Sequence, residues 1–259
     1  MKKYIYNYQT IIHFSTSVAR HFFLLRCMPC VNDCQQMSHR DLFLYPRESV
    51  IYGADAWHNP IQYGQVLRPH DSFVFVSSGE ARLEPYRIAL EKESLLGLFQ
   101  VQSGQTVPSV EMERFLLEHR EGKSGWALAC RLSEAVYRYM TYAPGTTLMT
   151  TTAAEAFGQR QGVCQDYAHI LIGLCRAAGI PARYANGFIP GLGTTHAWVE
   201  VCDGGVWRAL DPTNNLHEID YGYIKIAHGR DAADCPVNRG VFRGTAGQQT
   251  QVRIIVEEI

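Results

Sequence analysis

The chain changes from a loop to a helix within residues 160–169, which have the sequence RQGVCQDYAH. Small and apolar residues recur at helical spacing over residues 168–178, and Gly179-Ile180-Pro181 then provides a stop. Cys164 is therefore expected in or just before the first helical turn. Free backbone N–H groups and the positive end of the helix dipole favour an anion there, so we expect Cys164 to form a thiolate readily.

Length and composition allow one large domain or two modest ones, of which we favour two, in a soluble protein. The chain has 259 residues, 46% of them hydrophobic, and a net charge of -1, which gives no electrostatic case for nucleic acid or an anionic membrane. No segment approaches the roughly 20 apolar residues of a membrane span, and the N-terminus lacks the apolar core of a signal peptide. We expect a cytoplasmic protein with eight reduced cysteines and a peptide or protein substrate.

The first hundred residues are expected to be rich in β-strands. Short segments of aromatic and branched residues alternate with turn formers, and this pattern predicts an antiparallel β-sandwich or barrel over residues 1–100. A polar segment at 100–108 is the best linker candidate, so a catalytic domain is expected over residues 101–259. The predicted N-terminal strands are 4–6, 11–14, 22–27, 42–46 and 71–76.

Helices come before the cysteine and strands follow its helix. Residues 109–118 and 127–140 have helical periodicity. Strands are predicted at 182–188, 196–201 and 206–213, with a hairpin turn at 203–205 between the last two. Two strands joined by a tight turn are natural antiparallel neighbours, which brings the start of one near the end of the other.

Three residues supply the groups that thiol catalysis requires. Amide hydrolysis by a cysteine needs a thiolate, an imidazole that holds and passes the proton, and a third group that fixes the imidazole tautomer. Cys164, His196 and Asp211 occur in that order, with His196 at the start of one strand and Asp211 at the end of the next. The two can face each other while the Cys164 helix packs against their sheet.

Other histidines compete for the role of the imidazole. His169 lies five residues beyond Cys164, a helical spacing that turns it away from the thiol, and we expect it to be structural. His217 and His228 follow Asp211 and remain alternatives. Asp166 is expected to accept first-turn N–H groups or to complement the helix dipole. Trp198 and Trp207 are expected either to pack beside the histidine and aspartate and shield their pairing from water, or to be ordinary core residues.

An oxyanion formed during catalysis also needs hydrogen-bond donors. The backbone N–H of Cys164 is the expected first donor, since it lies at the start of a helix. Tyr142 and Gln159 are both candidates for the second. The loop 189–195 is expected to shape substrate specificity.

The cysteines near the N-terminus resemble a metal site only superficially. Cys27, Cys30, Cys34 and His39 match no standard zinc spacing, and Cys27 ends an apolar run that favours packing as a small hydrophobe. No acidic loop of the calcium-binding type is present in the sequence. We expect no metal and no cofactor.

The motifs around the three candidate residues resemble those of the transglutaminase-like superfamily, in its bacterial branch of cysteine proteases. The resemblance is carried by GVCQDYA at 162–168, RAAGIPARY at 176–184, Gly187, HAWVE at 196–200, Trp207 and LDPTN at 210–214. It implies that Cys164 is the nucleophile, His196 the general acid and base, and Asp211 the residue that orients His196.

The resemblance extends nearly end to end. Residues 223–227 and 229–231 are similar to the segment that follows the aspartate in that family. Asp55, Asn59 and Pro69-His70 are similar to its N-terminal β-domain, although Trp57-His58 departs from the usual aromatic-glycine pair. This resemblance implies an α+β protein, with an N-terminal antiparallel β-sandwich fused to a papain-like catalytic core.

These observations predict a thiol-dependent amidohydrolase or peptidase that forms a thioester acyl-enzyme. A protein-glutamine acyltransferase would use the same three residues, so it remains an alternative. A non-catalytic peptide-binding module is a second alternative, against which the intact Cys164, His196 and Asp211 argue.

Overall fold

The computed structural model describes residues 1–91 and 93–259, which form two large antiparallel sheets, a two-stranded pair and four α-helices. The helices are α1 (Val110–Arg120), α2 (Gly125–Tyr139), α3 (Ala153–Gln159) and α4 (Cys164–Ala177). None of them is long and apolar enough to cross a membrane in the described part of the chain. The strands are β1 (Lys2–Leu25), β2 (Gln35–Tyr45), β3 (Val50–Ala54), β4 (Pro60–Val66), β5 (His70–Leu83), β6 (Arg87–Ala89), β7 (Thr141–Tyr142), β8 (Gln161–Gly162), β9 (Ala182–Phe188), β10 (Gly191–Gly193), β11 (His196–Asp203), β12 (Val206–Leu210), β13 (Ile224–Gly229), β14 (Asn238–Arg243) and β15 (Gln248–Glu258).

The long strand β1 organises the first sheet. It is continuous over 24 residues, where the sequence predicted three separate strands. Its polar residues alternate with buried ones, so they occupy the exposed face and do not interrupt the ladder. The first half of β1 pairs with β5 and β15 and the second half with β4 and β14, with a register shift between His13 and Val18. The sheet therefore curls around β1.

The end of the chain returns to the first sheet. β15 pairs with β1 from Tyr4 opposite Glu258 to Phe14 opposite Gln248, and β10 extends the sheet beyond β15. In the opposite direction, β6 pairs with β12 in the second sheet. The two sheets thus exchange strands across residue 100, and the division into domains 1–100 and 101–259 stays a prediction.

The second sheet supports the helix that begins at Cys164. Its strand order is β13-β9-β11-β12-β6, with every described pair antiparallel. α4 packs on β9 and β11 and is buried from Asp166 to Arg176, because α2 and α3 cover its other sides. The predicted α+β class is confirmed. The helix that carries Cys164 packs on an antiparallel sheet, in which strand β11 begins at His196.

A buried carboxylate joins three strands of the second sheet. Glu200 on β11 is fully buried and accepts hydrogen bonds from Arg183 on β9 and from Lys225 on β13, the latter at 2.8 and 2.9 Å. Tyr86 donates to it from the N-terminal part at 2.6 Å. Burial alone raises the pKa of Glu200, but the charges of Arg183 and Lys225 outweigh burial and lower it to about 2.

We expect Glu200→Gln to lower the free energy of unfolding by about 3–5 kcal/mol, because it leaves two buried cations without their anion. Urea denaturation checks this value. The matched control is Glu134→Gln, which removes an exposed helix ion pair with Arg138 and should change stability by less than about 0.5 kcal/mol. Equal effects of the two substitutions would contradict this interpretation of the cluster.

Candidate active site

The start of α4 is fixed by a buried aspartate. Asp166 accepts hydrogen bonds from the Val163 N–H at 2.8 Å and the Thr147 hydroxyl at 2.7 Å, as expected for a first-turn acid. A Cβ on Gly162 would come within 2.7 Å of the Asp166 Cβ, so glycine is required there. Cys164 is held at the first position of the helix. Its side chain is partly exposed, as is that of Cys130, whereas the other six cysteines are buried.

The β11–β12 hairpin brings His196 and Asp211 together. His196 begins β11 and Asp211 directly follows β12, and their strands pair from Val199 opposite Leu210 onwards. His196 Nε2 lies 2.7 Å from Asp211 Oδ2. Asp211 is fully buried, so solvent does not compete for this contact.

Two further side chains hold the Asp211 carboxylate. Oδ2 accepts hydrogen bonds from the Tyr223 hydroxyl at 2.6 Å and from Asn214 Nδ2 at 2.7 Å. Backbone N–H groups of Thr213 and Asn214 donate to Oδ1 at 2.9 and 3.2 Å. Tyr223 lies in a segment with family resemblance, but no local sequence pattern indicates that this tyrosine reaches back to Asp211.

The tryptophans behave differently from each other. Trp198 is fully buried and packs edge-on against Tyr223 with 5.2 Å between ring centroids, so it supports the hydroxyl that holds Asp211. Trp207 instead lies over the guanidinium of Arg183, 4.0 Å from its central carbon. Of the two alternatives, Trp207 therefore follows ordinary core packing and does not pack beside the histidine and aspartate.

The electrostatics favour a charged imidazole. Burial alone lowers the pKa of His196, but the hydrogen bond with Asp211, the charge of Asp211 and the nearby Cys164 raise it to about 9. Burial likewise raises the pKa of Asp211, but the His196 contact outweighs burial and lowers it overall. The imidazole is thus protonated near neutral pH. Because Nε2 faces Asp211, Nδ1 is the ring nitrogen left for Cys164.

Cys164 and His196 line a common groove of about 820 Å³. Its walls come from the C-terminal end of α2, from the loop between β9 and β11, and from Thr213 and Asn214. Ile254 of β15 also lines it, and β10 within the loop pairs with β15. The first sheet therefore contributes directly to the shape of the groove, next to the loop 189–195.

Tyr142 and Gln159 differ in their distance from the site. Tyr142 lines the groove, and its pKa is raised by burial and by the nearby Cys164. Gln159 ends α3, is exposed and does not appear among the described residues of the groove wall. The identity of the second oxyanion donor stays a prediction, with Tyr142 the better placed of the two.

The remaining histidines lie elsewhere. His169 is fully buried in α4, where its Nε2 accepts the Ala232 N–H at 3.1 Å and burial lowers its pKa to about 4, consistent with a structural role. Neither His217 nor His228 lines the groove as formed by the described residues.

The N-terminal cysteines face separate acceptors. The thiols of Cys27, Cys30 and Cys34 point to the Gln62 side chain, the Ile226 carbonyl and the Asn32 side chain respectively, while His39 contacts Asp41. Over residues 1–91 and 93–259, no group of three or more His, Cys, Asp and Glu residues is arranged to hold a metal ion.

Relatives with curated sequences match less than half of the chain. An uncharacterized protein of Mycobacterium leprae is 35% identical over 128 residues, covering 46% of this chain and 44% of that protein. An uncharacterized protein of Mycobacterium tuberculosis is 36% identical over 127 residues, covering 43% and 40%. The chain spans less than half the length of these relatives.

A solved structure shares the fold over nearly the whole chain. It comes from Cytophaga hutchinsonii, is described as a proposed cysteine protease, and aligns with a TM-score of 0.82 over 98% of this chain and 90% of that one. The sequence identity is 21%, so the likeness concerns the fold.

Two family models match separate parts of the chain. Residues 4–82 match the bacterial transglutaminase-like N-terminal region, and residues 120–212 match the core of the transglutaminase-like superfamily. The second match contains Cys164, His196 and Asp211, and the first contains most of β1 and all of β2 to β4. The chain therefore belongs to the transglutaminase-like superfamily.

Proposed function

We propose that this protein is a thiol-dependent amidohydrolase or peptidase that acts through Cys164, His196 and Asp211. One observation carries the proposal: the 2.7 Å contact between His196 and the buried Asp211, in a groove that also exposes Cys164. A histidine oriented by a carboxylate beside a cysteine at a helix start has the arrangement that thiol acyl transfer requires.

The reaction would proceed in two steps. The Cys164 thiolate attacks the substrate carbonyl carbon, and the backbone N–H of Cys164 stabilises the oxyanion. The His196 imidazolium gives its proton to the leaving amine as the C–N bond breaks, which leaves a thioester on Cys164 and a neutral imidazole. His196 then takes a proton from water, and the resulting hydroxide attacks the thioester. The carboxylic acid leaves, and the Cys164 thiolate and the His196 imidazolium are regenerated.

Asp211 would act by orientation. Its contact with Nε2 keeps Nδ1 directed towards Cys164, and its charge stabilises the imidazolium on which acylation depends. Tyr223 and Asn214 would keep the carboxylate in place. The groove of about 820 Å³ is large enough for a peptide or a protein segment, which we propose as the substrate class.

Acyl transfer to an amine is the second candidate function, because the match to the transglutaminase-like core favours it. Transfer differs from hydrolysis only in the nucleophile that resolves the thioester. Peptide, cell-wall-peptide and glutamine-donor libraries separate the two: net cleavage supports hydrolysis, whereas ammonia release with amine incorporation supports transfer. Turnover that persists in Cys164→Ala would contradict both.

We expect iodoacetamide to label Cys164 selectively near neutral pH, and His196→Ala to abolish this selectivity because the imidazolium that stabilises the thiolate is gone. Peptide mapping by mass spectrometry measures the labelling rate of each cysteine. Cys130, the other partly exposed cysteine, is the internal control. If Cys164 reacts no faster than in the denatured chain, the non-catalytic binding module is favoured.

We expect kcat/KM to fall as the pH rises above about 9, where His196 loses the proton that it donates to the leaving group. Asp211→Asn removes a hydrogen bond and a charge that raise the pKa of His196, while burial continues to lower it. In this variant the fall of kcat/KM at alkaline pH should therefore begin at a lower pH. Its kcat should drop by roughly 10⁴-fold, as in a serine-protease triad. A limb at the same pH in both proteins would refute this role of Asp211.

A further inference from the structure

A second cavity, of about 130 Å³, lies on the face of the second sheet opposite α4. Tyr184 on β9 contacts His169 of α4, so the neighbouring Arg183 points to the other face of the sheet. The 3-10 helix Glu93–Phe99 and the β3–β4 loop close the cavity from the N-terminal side. Its walls include Trp57, Phe99, Arg183, Trp207, Lys225 and His228.

The arginine that lines this cavity has donors that the described residues leave unused. Arg183 is 7% exposed and contacts Glu200 through Nε, while its Nη1 and Nη2 groups donate to no other described residue. The guanidinium lies 4.0 Å from the Trp207 ring centre and 5.8 Å from that of Phe99. The planar donor edge is thereby held in one orientation towards the cavity.

Among the described side chains, the charges around the cavity do not balance. Arg183 and Lys225 are two buried cations, and both contact the single carboxylate of Glu200. Glu91 also lines the cavity, but it is exposed at the mouth and its charge is screened by water. An anion inside the cavity would compensate the excess positive charge.

His228 is consistent with a positive environment. Burial and the charges of Lys225, Arg183 and His58 lower the pKa of His228, so its imidazole is neutral. Its Nδ1 is buried and has no hydrogen-bond partner among the described residues. A neutral imidazole beside Arg183 and Lys225 adds no further charge to the cavity.

The loop that carries Trp57 is fixed before any ligand arrives. Asp55 accepts the N–H groups of Trp57 and Asn59, and Asn59 exchanges two hydrogen bonds with the backbone of His228, at 2.8 and 2.9 Å. His58 has a φ of 63°, in the left-handed region where glycine is favoured, so the backbone makes a tight turn directly after Trp57. The Trp57 wall is therefore preorganised.

We propose that this cavity binds a small carboxylate with a flat apolar body. The paired terminal nitrogens of Arg183 match the two oxygens of a carboxylate, and the rings of Trp57, Phe99 and Trp207 match a flat apolar group. The volume corresponds to about four waters at roughly 30 Å³ each, which limits the ligand to a small acid or the last residue of a peptide. The proposal is independent of the chemistry at Cys164.

The experiment titrates the full chain with benzoate and with benzamide, followed by calorimetry and by tryptophan fluorescence. We expect saturable binding of benzoate and at least tenfold weaker binding of benzamide. Arg183→Gln should weaken benzoate at least tenfold. Arg208→Gln is the matched control. Arg208 is on β12 of the same sheet but outside the cavity, and its guanidinium lies over the ring of Trp126 in α2. This variant should bind benzoate as the wild type does.

A second variant keeps the test decisive, since Arg183 also contributes to the Glu200 cluster. Trp57→Ala removes one wall and leaves that cluster intact, and it should weaken benzoate several-fold with unchanged circular dichroism. Equal binding of benzamide and benzoate, no benzoate binding, or wild-type affinity in both cavity variants would overturn the proposal.

The source of the carboxylate is distinguished in the same assay. A hexapeptide ending in a free phenylalanine carboxylate is compared with its C-terminal amide. A peptide acid that binds more tightly than benzoate and than the amide assigns the cavity to a peptide C-terminus. Binding of benzoate without the peptide acid assigns it to a free organic acid.

Discussion

The hydrogen bond between His196 Nε2 and Asp211 Oδ2 is the contact on which the site depends. It forms because a tight turn joins β11 to β12 and brings the start of one strand beside the residue that ends the other. Burial makes the contact strong, and the Tyr223 and Asn214 donors prevent the carboxylate from turning away. The raised pKa of His196 is a direct result, so the protonation state and the orientation of the imidazole have the same cause.

The second sheet carries His196 and Asp211 at one end of its β11–β12 hairpin and also carries the buried charge cluster around Glu200. Trp198 connects them: its ring packs edge-on against Tyr223, and its Nε1 donates to the Tyr86 hydroxyl at 3.2 Å, which in turn donates to Glu200. Continuous side-chain contacts therefore connect the Arg183 cavity to Asp211. A buried polar network of this kind is stable only when nearly every polar group has a hydrogen-bond partner. The network ends at the Arg183 cavity on one side and at the groove beside Cys164 on the other.

The sequence predicted the local features of the site well, because each has a nearby cause. The helix start at Cys164, the hairpin turn and the capping role of Asp166 all follow from spacing and turn residues. Gly187 carried part of the family resemblance, and the structure gives the reason: a Cβ there would overlap the Ile224 carbonyl and the Trp198 ring. The continuous β1 was missed because polar residues on an exposed face resemble strand breaks when strand pairing is unknown. Tyr223, the return of β15 to β1 and the Arg183 cavity depend on contacts between distant segments, which periodicity does not encode.

The most direct test of the central claim is mass spectrometry of the intact protein after rapid acid quenching with a peptide substrate found by library screening. If Cys164, His196 and Asp211 act together, a covalent adduct with the mass of the acyl fragment should appear on Cys164 and disappear with hydroxylamine, as a thioester does. The adduct is sought in the wild-type protein, so no variant with slowed deacylation is required. Substrate turnover without any adduct on Cys164, or an adduct on another residue that persists in Cys164→Ala, would contradict the account.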